Sequence, residues 1–157
     1  MFNAKILADS TSFSICDKSS RIITKQLTFP RCILAEFNTH KSIARNAASS
    51  RAIPVSKMID DVKNNPFIPI HWGKNQKGMQ ANEVLDDVKA NECKKVWLDA
   101  CDRTLSSVEY LLNLGLHKQI ANRLLEPWMW VTVIATGNMA AWNNFLALRA
   151  HKDAEPH

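Results

Sequence analysis

One pattern runs through this chain for longer than any other. Between Ala81 and Leu114, the residues Val84, Leu85, Val88, Val96, Trp97, Ala100, Cys101, Leu105, Val108, Leu111 and Leu112 fall three and four positions apart. That spacing lines them along one side of an α-helix. A helix of this length constrains the rest of the fold, because other segments must supply the surface its apolar stripe packs against. The pattern is weakest at Ala90–Glu92, where a break is expected. Gly115 is placed to cap its C-terminus, since glycine takes the left-handed conformation there without strain.

The flanking segments alternate in type. "RIITKQLTF" (21–29) is rich in β-branched residues and reads as a strand. Pro30 fits the first turn of a helix, where a missing N–H costs nothing, and "PRCILAEFN" has helical composition. "VSKMIDDVKNN" (55–65) reads as a short amphipathic helix opened by Ser56, and "PFIPIHWGKNQKGMQ" (66–80) as a loop. "HKQIANRLLE" (117–126) is a helix ended by Pro127. "WMWVTVIAT" (128–136) has no polar helical face and reads as a strand, after which Asn138 caps a helix, "MAAWNNFLALRA". The fold class is therefore α/β (α+β): a helix-rich chain with a small central sheet. With 157 residues, only four glycines and six prolines, no repeat and no linker-like run, residues 1–157 read as a single domain able to bury a core.

Charge bears on partners. The net charge of +5 attracts nucleotides, nucleic acid and acidic surfaces alike. The apolar stretches fall far short of a membrane span, and "MFNAKILADS" lacks the basic-then-apolar order of a signal, so no membrane partner is expected. Cys16, Cys32, Cys93 and Cys101 show neither CxxC nor zinc spacing and read as thiols of a cytoplasmic protein. There is no GxGxxG and no Walker loop. The five histidines have no metal-ligand spacing, so no metal is expected, and His71 and His117 read as loop and cap residues. No Ser/His/Asp order or activated cysteine stands out. The five tryptophans read as core or subunit contact rather than a stacking surface.

Three stretches carry groups suited to anions. "THKSIARNAASSR" (39–51) crowds His40, Lys41, Arg45, Asn46, Ser49, Ser50 and Arg51 among alanines. Hydroxyls, backbone N–H groups near a helix end and a forked guanidinium suit a phosphate, and the alanines let a ligand approach the backbone. A solvated basic flank explains the same composition equally well. Arg123, in "HKQIANRLLEPW", offers a second anion contact, although a lone Arg on a helix is more often a surface or salt-bridge residue. Asn138, Asn144 and Arg149 are polar positions in a largely apolar helix. Asn138 and Arg149 are about three turns apart and so lie near one face, fit to read a base or flavin edge, or simply to cap the helix and complement its dipole.

Taken in order, these stretches resemble the flavin-dependent thymidylate synthases, most closely the phage-like and short bacterial members. That family carries an Arg-His-Arg signature followed by a Ser and a trailing Arg. Here "THKSIARNAASSR" sets His40 at the signature His, Lys41 at its second Arg, Ser49 at the Ser and Arg51 at the trailing Arg. The resemblance extends through "PFIPIHWGKNQKGMQA" and "GLHKQIANRLLEPWMWVTVIAT" to "NNFLALRAHKDA", from about Ile22 to Ala154. It implies conversion of dUMP to dTMP in a homotetramer, with methylenetetrahydrofolate giving the carbon and FAD, reduced by NADPH, giving the hydride. Carried over by position, Glu36, Ser49, Ser50, Arg51 and Arg123 would hold dUMP. Arg149 would act catalytically by contacting the uracil and favouring its ionised N3. Thr39, His40, Lys41, Asn138 and Asn144 would line the FAD. Nucleic acid is the least expected partner, because the basic residues coincide with nucleotide contacts.

The chain departs from the family pattern in places. Thr39 replaces the first signature Arg, as in the shorter members, and Lys41 keeps a charge but loses the bidentate fork. Ala44 stands where Ser is common and Ala140 where many members have an FAD-contacting Arg. The family's "AQxEI" appears as "AEPH", with Glu155 for Gln, and relatives continue past the position of His157 with a further helical segment. Two alternatives follow: a catalytically degenerate nucleotide-binding or assembly relative, and a flavin enzyme modifying another pyrimidine nucleotide.

Overall fold

The computed structural model describes residues 1–12, 20–78, 81–154 and 156–157. Cys16, Glu155 and the last two residues of the 66–80 segment lie outside the described residues. The strands are β1 (Asn3–Thr11), β2 (Arg21–Pro30), β3 (Ala44–Ala47) and β4 (Trp130–Asn138), and the helices are α1 (Leu34–Phe37), α2 (Val55–Asn64), α3 (Asp87–Asn113), α4 (Lys118–Ala121) and α5 (Met139–Arg149). This is the expected helix-rich α+β class with one small sheet. No described helix is long and apolar enough to cross a membrane.

The sheet runs in the order β1-β2-β4-β3. β1 pairs antiparallel with β2 from Asn3↔Thr28 to Thr11↔Arg21, and β3 pairs antiparallel with β4 from Ala44↔Thr136 to Ala47↔Val133. Across the central pair, the hydroxyls of Thr24 and Thr136 lie 2.9 Å apart and those of Thr28 and Thr132 3.1 Å apart. As one strand advances the other retreats, which is antiparallel pairing. Along β4, Val131, Val133 and Ala135 are buried while Ile134 and Asn138 are exposed, the alternation of a strand with one covered face.

Residues cluster into two compact units: Met1–Phe29, Ile33–Ala48 and Val131–Glu155 form one; Pro30–Cys32, Ser49–Trp130 and Pro156–His157 form the other. The first buries Ile23, Phe29, Phe37, Ile43, Val133, Ala141 and Trp142 between sheet and α5. The Trp142 indole N–H donates to the Ile23 carbonyl at 3.1 Å, satisfying the polar end of a buried ring. The second buries Met58, Val62, Cys101, Leu105, Val108, Leu125 and Trp128 around α3. Trp128 and Trp142 are thus core residues, as their composition implied.

Local chemistry explains most boundaries. α3 is unbroken through Ala90–Glu92 and begins later than its periodicity, because Asp86 caps it by accepting from the Lys89 N–H at 2.9 Å. At its far end Gly115 takes φ +86°, with Leu116 N bonding Leu111 O at 3.0 Å and Gly115 N bonding Leu112 O at 2.9 Å. That pair of bonds is a Schellman cap. Other expectations are corrected. Pro30 ends β2 rather than opening a helix; a 3-10 turn over Arg31–Ile33 leads into a helix of only four residues. α2 starts after Pro54 with no side-chain cap, so Ser56 does not open it. The helix from His117 is α-helical only to Ala121; a 3-10 segment then runs Asn122–Trp128 with Pro127 inside it. β1 and β3 were not expected.

Candidate functional site

The site begins where α1 fails to continue. Asn38 N bonds Leu34 O at 3.0 Å, Thr39 N bonds Glu36 O at 3.1 Å and His40 N bonds Phe37 O at 3.2 Å, winding the chain into successive tight turns. The Thr39 hydroxyl also donates to Glu36 O, at 2.6 Å. Ile43, 1% exposed, pins the end of this turn into the core. Arg45, from β3, ties the turn together. Its guanidinium donates to Asn38 Oδ1 at 2.8 Å, Asn38 O at 2.6 Å, His40 O at 2.9 Å and Ile43 O at 2.8 Å. Arg45 was expected to be one of the phosphate-friendly groups of the stretch; its fork is instead spent on the chain itself.

α5 brings the second half. Asn138, at its start, accepts from the Ala141 N–H at 2.9 Å and is the helix cap the sequence indicated. Arg149, in the last turn, donates from Nε to His40 Nε2 at 2.7 Å and from Nη2 to Glu36 O at 3.2 Å and Thr39 Oγ1 at 3.4 Å. The His40 ring is 6% exposed and packs edge-on against Phe145, with centroids 4.8 Å apart. An arginine only donates, so His40 Nε2 is an acceptor and the imidazole is neutral with its proton on Nδ1. Burial pushes the His40 pKa below its usual 6.5, and the charges of Arg149 and Arg45 push it the same way.

Around these groups lies an open cleft of about 570 Å³, lined by Thr39, His40, Lys41, Asn144, Arg149 and Asp153, among others. Four residues expected to line FAD therefore share a cavity with the expected catalytic arginine. Asn138 is not among its lining residues, and Glu36 reaches Arg149 through its backbone carbonyl while its side chain is exposed. Among the described lining residues, Lys41 and Arg149 set two cations against the carboxylate of Asp153, a balance that suits an anionic ligand.

The remaining candidates belong to the other unit. Ser49 Oγ accepts from the Arg51 N–H at 3.3 Å and Ser49 O accepts from the Ala52 N–H at 3.0 Å, forming a short turn. Ser50 O accepts from the Asn122 side chain at 3.4 Å, which sets this turn beside the segment bearing Arg123. Arg123 is exposed and lies 3.9 Å from Glu126 Oε1, which Arg31 also approaches at 3.3 Å. Asn122 was missed in the sequence. It is 1% exposed, and its Oδ1 has no hydrogen-bond partner among the described residues. Cys32, Cys93 and Cys101 form no disulfide. Among the described residues no cluster of His, Cys, Asp or Glu could hold a metal.

A family model described as thymidylate synthase complementing protein matches residues 19–157, and the chain belongs to that family. The fold is that of the UMP/dUMP methylase PolB from Streptomyces cacaoi. Its complex with 5-Br UMP superposes with a TM-score of 0.75 at 16% identity, covering 100% of this chain and 80% of that one. Its complex with 5-Br dUMP gives 0.70 at 13% identity, covering 100% and 82%. No curated protein matched. The resemblance read from "THKSIARNAASSR" and the stretches after it is thus to the family that the chain belongs to.

Proposed function

We propose that this protein is a flavin-dependent thymidylate synthase, converting dUMP to dTMP with FAD as cofactor and NADPH and methylenetetrahydrofolate as co-substrates. One observation carries the reading: Arg149 is held 2.7 Å from a neutral His40 at the wall of a cleft that also presents Lys41 and Asn144. The donor set fits a flavin nucleotide. Lys41 supplies a cation for a phosphate, and Thr39 and Asn144 supply a hydroxyl and an amide within the same cleft. His40 stands at the wall between them, and Asn138, at the start of the same helix, completes the FAD set the family resemblance implies. When bound, FAD supplies hydride chemistry that no side chain here offers.

The chain's own residues bind and polarise. Arg149 places positive charge against the pyrimidine, stabilising the negative charge that develops on an ionised ring. Ser49, Ser50, Arg51 and Arg123 take the phosphate and sugar side of dUMP, with Glu36 beside the nucleotide. Arg51 is exposed, with its fork available for a phosphate. Residues 1–157 act as one domain in a cytoplasmic homotetramer.

A second reading is favoured by the structural neighbour, described as a UMP/dUMP methylase: the same scaffold methylating a uridine nucleotide other than dUMP. The test is an absorption titration of the purified protein with FAD, with and without dUMP, followed by product analysis with dUMP and UMP. A dUMP-sensitive flavin spectrum and dTMP formation are expected. Product from UMP alone would select the second reading. No flavin binding at all would leave a degenerate nucleotide-binding relative.

A further inference from the structure

We propose that His40 is the positioning residue for Arg149, a neutral acceptor that orients the guanidinium without cancelling its charge. The proposal rests on the reading of Arg149 as the group that meets the pyrimidine.

A guanidinium has five N–H donors in a rigid plane. In Arg149, Nε is committed to His40, and Nη2 to Glu36 O and Thr39 Oγ1. All three partners come from one side, the α1 end and the turn after it. Nη1 makes no hydrogen bond among the described residues, so both of its N–H groups remain for a ligand. Fixing one edge of a planar fork fixes the direction of the other. The acceptor is itself packed in place: the His40 ring is buried, lies against Phe37 and Phe145, and belongs to a turn whose carbonyls Arg45 holds.

The choice of acceptor matters. A carboxylate at this position would orient Arg149 equally well but would form an ion pair and neutralise it. An imidazole with a bare Nε2 accepts the same hydrogen bond and leaves the full positive charge facing a carbonyl or imidate oxygen of a uracil-type ring. The arrangement holds only while His40 is neutral. Among the described residues, the charged groups around it are Arg149 from α5, Arg45 from β3, Lys41 next in the chain, and the Asp153 carboxylate lining the same cleft. Burial and the two guanidiniums keep the ring neutral to a pH below 6.5. An imidazolium would set N–H against N–H and release Arg149.

Two measurements test this on the full chain. Nitrogen-15 NMR of the histidines at pH 7.5 should show His40 with its proton on Nδ1 and a bare Nε2, and an Arg149→Leu variant should lose that preference. Equilibrium binding of dUMP should then be followed from pH 8 to pH 5.5 in wild type, His40→Gln and His40→Phe. Gln keeps an acceptor at similar reach, so its affinity at pH 8 should stay within about threefold of wild type, whereas Phe should lose about tenfold. As pH falls, wild-type affinity should drop more steeply than that of the Gln variant, whose remaining slope reports the ligand's own phosphate. If His40→Phe does not fold, the wild-type tautomer and the Gln pH profile decide. A proton on Nε2, equal losses in Gln and Phe, or identical pH slopes would overturn the proposal. A wild-type protein that binds no pyrimidine nucleotide overturns the functional reading and this proposal with it.

Discussion

The turn at Asn38–Ile43 and the turn at Ser49–Arg51 carry similar polar groups and are held in opposite ways. In the first, Arg45 alone donates to Asn38 Oδ1 and to the carbonyls of Asn38, His40 and Ile43, and Arg149 adds bonds to His40, Glu36 and Thr39. In the second, Ser49 accepts from the backbone of Arg51 and Ala52, and the Ser50 carbonyl takes a long bond from Asn122. One arginine, Arg45, is spent on the fold; another, Arg51, stays exposed. Preorganised donors act without reorganising, which is what the role proposed for Arg149 requires. Uncommitted donors suit a phosphate, whose charge supplies the ordering energy on binding.

The most severe way to break this contrast is at Arg149. Arg149→Ala removes the charge at the cleft and should lower dTMP formation by at least about 10²-fold, the scale of losing a preorganised transition-state donor. Its circular dichroism should stay native, because the bonds lost lie at the last turn of α5 and leave its cap at Asn138 intact. Turnover that survives the substitution would remove Arg149 from the chemistry and leave it a brace for the turn.

A paired substitution separates the two arginines directly. Arg45→Ala removes the donor to the Asn38 and Ile43 carbonyls and one of the two donors to His40 O, which keeps the Ile43 N–H, and should cost about 2 kcal/mol of stability in urea unfolding. Arg51→Ala should change stability by less than about 0.5 kcal/mol and instead weaken dUMP binding about tenfold, as for one charge-assisted contact. If both variants unfold alike, the contrast between a braced and an open turn is wrong.

The same contrast shows what a sequence reveals. β2, β4, α3 and the Asn138 cap are local patterns, set by β-branched runs, three-and-four spacing and a capping amide, and they are legible without the fold. β1 is not: all nine of its residues are exposed, so no alternation of buried and polar positions marks it, and among the described residues it is its pairing with β2 that makes it a strand. β3, "ARNA", is likewise a strand because β4 accepts it. The helix predicted after Pro30 shrinks to Leu34–Phe37 because Phe37 and Ile43 both enter the core, which the chain can achieve only by turning between them. In the site, residue types were legible and their directions were not. Arg45 and Arg51 are equivalent letters six positions apart, and only tertiary structure spends one of them on carbonyls.

Acid should loosen the braced turn first. His40 titrates near 6.5 when unfolded and lower when folded, because burial and the guanidiniums of Arg149 and Arg45 oppose its charge. Between those two values the unfolded chain holds a proton that the folded chain does not, so stability falls as pH is lowered through that window. It stops changing on this account once the pH is below the folded value. The shifted carboxyls, Asp9 and Asp86, are held below 3.8, by Arg21 and by the Lys89 N–H respectively, and titrate well under this range. Urea midpoints measured from pH 7.5 to 5 should therefore decline, and the decline should flatten in His40→Gln. An equal decline in both proteins would assign the acid sensitivity elsewhere.

The smallest effect sharpens the contrast from the ligand's side. Lys41 is exposed and lines the cleft, yet it follows the rigid His40 in the chain, so its backbone is fixed while its ammonium is not. An ammonium meets a phosphate as a point charge at the end of a flexible stem; a guanidinium at the same place meets it with two parallel N–H groups. The turn has already lost the conformational freedom of its backbone, so the substitution alters only side-chain geometry. Lys41→Arg should tighten FAD binding about three- to tenfold in a fluorescence titration, roughly one added charge-assisted hydrogen bond, with stability unchanged. An unchanged or weaker titration would mean that the flavin phosphates do not meet position 41, and that the braced turn serves the pyrimidine alone.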